Sequence, residues 1–245
     1  MRGQEPALIA VFGGKPLRCK DSGSHQMSQK IALVTGASRG LGAAMAETLA
    51  LRGWHVVAVA RTVGGLEELD DAVKALKLPG AGSITLAPMD VTNDDAMRHL
   101  CLSVHERWGG AQLWVHAAVH AAPLAPAGSL DAKDWDKSIA TNLRATGILI
   151  PMVEPLLQAG QGAALFFDDP RAGQKFFGAY GATKAAQMAL VRSWAAEGAK
   201  IGPKVIIAQP APMATATRAR FFPGEDRSQH AAPRDEAARL LALHL

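Results

Sequence analysis

The chain has 245 residues, 49% hydrophobic and 20% charged, with a formal net charge of +4. That is apolar material enough for one sizeable core, with no apolar run long enough to span a bilayer. The basic excess does not mark a nucleic-acid partner. Four basic against two acidic residues before Met27 account for half of it, and the remainder has no lysine/arginine run interleaved with aromatics.

In chain order, residues 1–26 read as a disordered extension, either a real part of the protein or an over-extended start. Their apolar stretch "PALIAVFGG" has little positive charge ahead of it and no small-residue cleavage site, unlike a secretory signal. Met27 opens "MSQKIALVTG", which runs straight into a first strand, so the domain is expected over 27–245. Cys19 and Cys101 are far apart and lack metal-ligand spacing, as expected of free thiols in a reducing cytoplasm.

Short apolar runs at 31–34, 55–60, 83–89, 113–117, 163–167 and 204–208 predict strands buried on both faces. Amphipathic stretches near 40–52, 66–77, 94–107, 131–159 and 179–198 predict the intervening helices. This alternation predicts an α/β fold, a doubly wound parallel sheet with helices on both faces. Pro151 and Pro155 fall inside the fourth helix pattern and predict a kink or break there. The last stretch, 216–245, is expected to form a lid and a final helix.

The first strand leads into "TGASRGLG". Gly36, Gly40 and Gly42 lack side chains, which permits a tight turn and close approach of a pyrophosphate to the following helix N-terminus. The second strand ends in Ala60-Arg61, where an NAD site usually places an acid for the ribose 2′-hydroxyl. Arg61, with Arg39 in the glycine loop, suits a 2′-phosphate instead, so NADP(H) is expected over NAD(H). Tyr180, the only tyrosine, and Lys184 share one helix face. A phenol beside an ammonium is a proton-transfer device, because the cation favours the phenolate.

Together these motifs resemble the short-chain dehydrogenase/reductase family, with the match running from Met27 to about Thr217. The resemblance implies a Rossmann-like fold and a cofactor loop that includes Ser38 and Leu41. It also implies Asp90 at the adenine, Val91 and Ala117 lining the cofactor pocket, and Thr215 at the carboxamide. Tyr180 is implied as general acid/base, Lys184 as the residue that lowers its pKa, and Asn142 as support for a water relay to Lys184.

Four features depart from the family pattern. Its Asn-Asn-Ala-Gly after the fourth strand is His116, Ala117, Ala118 and Val119, and its late proline-glycine is Pro210-Ala211. The catalytic serine's place falls on Asp168, with Asp169 as the alternative, and the usual seventh strand is not evident. His116 is expected to be buried and satisfied by neighbouring backbone and His120 to lie in a loop, with a catalytic role as the alternative for both. His99 and His105 read as surface or boundary residues of the third helix, and none of the four is assigned to a metal.

The expectation is an NADP(H)-dependent oxidoreductase, cytoplasmic, acting on a small-molecule carbonyl/alcohol pair, with no nucleic-acid or membrane partner. A homodimer is expected through the helices at 131–159 and 179–198. The alternative is a nucleotide-sensing regulatory or interaction protein of the same fold with degraded catalysis. Arg218 and Arg220 in the lid either attract an acidic group or do nothing specific. Phe176, Phe177, Phe221 and Phe222 either line a partly apolar pocket or serve the core.

Overall fold

The computed structural model describes residues 29–245; the expected extension at 1–26, with Cys19, lies outside the described residues, as does Met27. Strands β1 (Ile31–Thr35), β2 (His55–Ala60), β3 (Ser83–Pro88), β4 (Leu113–His116), β5 (Ala163–Phe167) and β6 (Lys204–Ala208) form one sheet in the order β3-β2-β1-β4-β5-β6. Every pairing is parallel. Every residue of β1, β2, β4 and β5 is buried, which explains their nearly unbroken apolar runs. The edge strands β3 and β6 are partly open. The described residues contribute six strands.

Helices cover both faces: α1 (Gly40–Leu51), α2 (Val63–Ala75), α3 (Asp94–Trp108), α4 (Ala132–Ser138), α5 (Ala145–Gly160), α6 (Gly178–Glu197), α7 (Ala216–Phe221) and α8 (Pro233–His244). The period-two alternation of the strands sorts the core into two layers. Ala32, Val34, Val56 and Ala58 face Met45 and Leu49 of α1, Leu66 of α2 and Leu240 of α8. Ile31, Leu33, Val57 and Val59 face the other way, with Met97 of α3, Leu149 of α5 and Val191 of α6.

The helix expected over 131–159 is not broken at its prolines. Helix α5 runs through Pro151 and Pro155, which are four apart and both exposed, so the backbone groups they leave unpaired face water. The irregularity lies earlier, in a π-helical segment at Ile139–Arg144 that joins α4 to α5 and carries Asn142. Helix α8 packs on α1, where Arg234 meets the buried Glu47 at 2.6 Å. The equally buried Glu236 accepts from the Ala211 amide at 2.8 Å and so ties down the loop after β6.

The strand order reverses direction between β1 and β4. Loops leaving the carboxyl ends of these two strands diverge there and open a crevice, where open parallel sheets bind ligands.

Candidate active site

That crevice is a cleft of about 780 Å³. The glycine loop forms one end of it. Gly36 has φ +80, and a Cβ there would stand 2.6 Å from the Ala118 amide nitrogen, so only glycine fits. The Gly36 and Ala37 amides both donate to Val59 O, which fixes the turn against β2. Arg39 precedes α1, whose N-terminus has no side-chain cap and no acidic residue in its first turn. Its unpaired N–H groups are therefore left for an anion.

Every residue assigned from sequence to the coenzyme lines this one cleft: Gly36, Ser38, Arg39, Gly40, Leu41, Gly42, Arg61, Asp90, Val91, Ala117, Tyr180, Lys184 and Thr215. Asp90 Oδ1 accepts from the Thr92 amide and hydroxyl, and its other oxygen stands 3.8 Å from Arg61 Nη1. The Arg61 side chain is 60% exposed, so its guanidinium is free to meet a further anion. Thr215 caps α7 by accepting from the Arg218 amide.

At the other end, Tyr180 is buried against Phe177 and Phe221, with Phe222 packed on the same cluster. Of the four candidate phenylalanines, Phe221 and Phe222 line the cleft, Phe177 packs behind them on Tyr180, and Phe176 is left 42% exposed. The Tyr180 hydroxyl donates to Asp169 Oδ2 at 3.1 Å. Burial first, then the Asp169 charge and hydrogen bond, push the phenol well above its ordinary range, with Arg171 opposing. Burial also pulls the Lys184 ammonium down to about 8, against the opposing pull of Asp168 and Asp169.

The sequence placed Asp168 first and Asp169 second at the serine's position, and the geometry reverses that order. The Asp168 amide still donates to Ala208 O, so the chain remains extended past β5, where successive side chains point to opposite sides. Asp168 therefore turns to Arg192, at 3.0 Å, and Asp169 turns to Tyr180. Arg171 Nε lies 3.0 Å from the other Asp169 oxygen.

Asn142 is fully buried and sits behind the cleft wall. Its side chain accepts from the His120 amide and donates to His120 O and Thr183 Oγ1, locking the loop after β4 to α6. His116 is buried and held neutral; burial, then the Lys184 charge, push it down to about 3. His120 lies in the loop after β4, and His99 and His105 are exposed on α3. Among the described residues no group of three His, Cys, Asp or Glu is placed to hold a metal ion. Arg218 is engaged by Glu225 and His230, and Arg220 donates to Ala121 O, so both guanidiniums already have partners.

Sequence reasoning missed Thr146 and Gln187, both buried and bonded behind Lys184. The available signal was a polar residue on the buried face of a helix, one turn beyond Lys184 in the case of Gln187. Arg171, which the sequence offered as a partner for Asp168 and Asp169, stacks its guanidinium over Phe177 and Phe222 while facing Asp169.

A family model described as short chain dehydrogenase matches residues 30–226. The D-threitol dehydrogenase of Mycolicibacterium smegmatis is 34% identical over 140 residues, covering 56% of this chain and 52% of that protein. The chain thus spans about half the length of this relative. The cis-4-hydroxycyclohexanecarboxylate dehydrogenase of Sinomonas cyclohexanicum is 32% identical over 184 residues, covering 73% of this chain and 71% of that protein. A metagenomic short-chain oxidoreductase solved in complex with NADP superposes with a TM-score of 0.71 at 26% identity, covering 87% of this chain and 89% of that one. Glycine cradle, sheet order and tyrosine-lysine helix thus agree with a match over most of the chain, and the protein belongs to the short-chain dehydrogenase/reductase family.

Proposed function

We propose that this protein is an NADP(H)-dependent oxidoreductase that interconverts a carbonyl and an alcohol on a small molecule. The observation that carries the reading is that one cleft holds an uncapped glycine-rich helix start at one end and a buried tyrosine with a lysine at the other. Gly36 and Gly42 let the loop pack tightly on Ala117, Ala118 and the helix start, which keeps its backbone at the cleft for a pyrophosphate, and Arg39 and Arg61 offer two guanidiniums for a 2′-phosphate. When bound, the coenzyme supplies or accepts the hydride.

The chain's own residues handle the proton. Tyr180 gives its phenolic proton to the carbonyl oxygen in reduction and takes it back in oxidation. Lys184 provides the positive charge that makes the phenolate accessible, and Asn142 and Thr183 hold the tyrosine helix against the cleft wall. Asp169 stands where it holds or returns the tyrosine's proton. The phenylalanine cluster excludes water from the reacting end.

A second reading has its own support. The Tyr180 proton is already engaged by Asp169, and that carboxylate opposes phenolate formation. A nucleotide sensor with a retained coenzyme cleft and a disabled acid would look like this. Fluorescence titration with NADPH, followed by NADPH consumption against a panel of aldehydes and ketones, separates the readings. Binding with turnover that Tyr180→Phe abolishes supports the enzyme, and binding without turnover supports the sensor. Absence of NADPH binding overturns both. We place the protein in the cytoplasm, as suits Cys101, buried and without a disulfide among the described residues, and expect a homodimer through α4, α5 and α6, measurable by light scattering.

A further inference from the structure

A continuous run of buried polar side chains lies behind the cleft. Lys184 Nζ donates to Gln187 Oε1 at 2.6 Å, and Gln187 Nε2 donates to Thr146 Oγ1 at 2.8 Å. Thr146 Oγ1 lies 3.2 Å from His116 Nε2 and 3.3 Å from Asn142 O, and His116 Nδ1 lies 2.8 Å from Thr35 Oγ1. All these side chains are buried, Thr35 and Thr146 completely. The chain joins β1, β4, α5 and α6 around the cleft's inner wall.

The hydrogen-bond inventory fixes the direction of the amide. Lys184 is a donor only, so the amide must present its oxygen to it and its NH2 to Thr146. Thr146 accepts from that NH2 and still has a hydroxyl proton for His116 Nε2 or Asn142 O, so either histidine tautomer leaves every member satisfied. Separately from the water relay that the resemblance implies at Asn142, Gln187 and Thr146 connect Lys184 by side chains to His116 or to the Asn142 backbone carbonyl.

We propose that Gln187 is a positioning residue for Lys184: its carboxamide, oriented by Thr146, holds the ammonium at the cleft wall and keeps it charged. A carboxamide neither gains nor loses a proton near neutral pH, so this chain anchors a charge and does not relay protons. The inference rests on the reading of Lys184 as the ammonium that serves Tyr180. The titratable groups acting on Lys184 are Asp168 and Asp169 from the end of β5, which favour its charged form, while Lys184 itself helps to keep His116 of β4 neutral. Tyr180 precedes it by one turn on α6.

The test is a side-chain NMR titration of protein labelled at the lysine ε-carbon, with the Lys184 signal assigned by its loss in Lys184→Met. Lys184 in the unmutated protein is expected to titrate at about 8. Gln187→Leu removes the acceptor and lowers the midpoint by about one unit or more, a tenfold change in the charged fraction. Thr146→Val is nearly isosteric but frees the amide to turn, and lowers the midpoint in the same direction. Gln187→Glu restores an acceptor and raises the midpoint above that of the unmutated protein. Unchanged midpoints in folded Gln187→Leu and Thr146→Val overturn the proposal, as does a lowered midpoint in Gln187→Glu. If Gln187→Leu does not fold, the other two variants still decide. Failure of the unmutated protein to bind NADPH speaks against the proposed function and leaves the titration result standing, so the two failures are separately readable.

Discussion

The Tyr180 hydroxyl donates to Asp169, not to its neighbour Asp168, and the same Asp169 carboxylate faces Arg171 through its other oxygen. The phenol is thus bonded to an anion that is itself partly neutralised by a guanidinium. Presenting its proton to a substrate oxygen requires Tyr180 to give up or share that bond. Under the proposed function, the strength of the Asp169 contact sets how readily the phenol gives up its proton.

Asp169→Asn is expected to lower the Tyr180 pKa. The carboxylate repels the phenolate and accepts a bond from the neutral phenol, and both effects raise the pKa in the unmutated protein. Removing a charge at this distance in a buried site should shift the titration down by about one unit or more. Asp168→Asn should shift it less, since Asp168 is the weakest of the named contributors and turns to Arg192. With a single tyrosine in the chain, phenolate absorption reports the site directly. An unmoved Asp169→Asn titration would show that the carboxylate does not act on the phenol.

Acid should destabilise the fold through His116. Its folded pKa is lowered to about 3 from the ordinary 6.5, so below the ordinary value the unfolded chain binds a proton that the folded chain refuses. Stability is fully present above about pH 6.5 and falls as the pH drops towards 3, with a limiting slope of about 1.4 kcal/mol per pH unit from this group. Urea unfolding over this range should be measurably flatter in His116→Asn. Parallel pH profiles for the two proteins would rule out His116 as the source.

Arg61→Ala should narrow the preference for NADPH over NADH. A charge-assisted contact to phosphate contributes roughly 1.5–3 kcal/mol, so NADPH affinity should fall about tenfold or more while NADH affinity changes little. Arg39→Ala should act in the same direction. Equal affinities for both coenzymes in the unmutated protein would remove the basis for this expectation.

Gly36→Ala should abolish coenzyme binding and destabilise the protein. The new methyl would meet the backbone of Ala117 and Ala118, and φ +80 is unfavourable for alanine regardless of space. A cost on the order of 1–3 kcal/mol is expected from the strained backbone alone. Calorimetric melting with and without NADPH reads both effects, and a variant that melts and binds like the unmutated protein contradicts the assignment.

Much of the fold was legible because buried parallel strands write themselves as unbroken apolar runs, and β1, β2, β4 and β5 all do so. The glycines and the tyrosine-lysine pair were legible from residue type and spacing, whereas Ser38, Leu41, Asp90, Val91, Ala117 and Thr215 were reached only through the family resemblance. The assignment of Asp168 over Asp169 failed because adjacent residues on an extended chain point oppositely, and spacing from Tyr180 does not say which one faces it. For a related reason, the prolines do not break the helix. Their effect depends on which side of α5 they occupy, and both occupy the water side. Gln187 was invisible because its meaning lies in Thr146 and His116, which only the folded chain brings beside it.

The fit of Gly36 against Ala117 and Ala118 also bears on the order of folding events. The glycine turn hangs from Val59 O on one side and is walled by the end of β4 on the other, and β1 itself is paired with both β2 and β4. Chain carrying only β1, α1 and β2 holds the glycine signature without the wall that shapes it. The turn reaches its final form only after a long chain closure has brought β4 alongside β1, the slow kind of step in a parallel sheet. A ligand entering this cleft meets a finished cradle only once β4 lies beside β1, and its binding energy acts on the completed domain, not on the segment in which the motif is written.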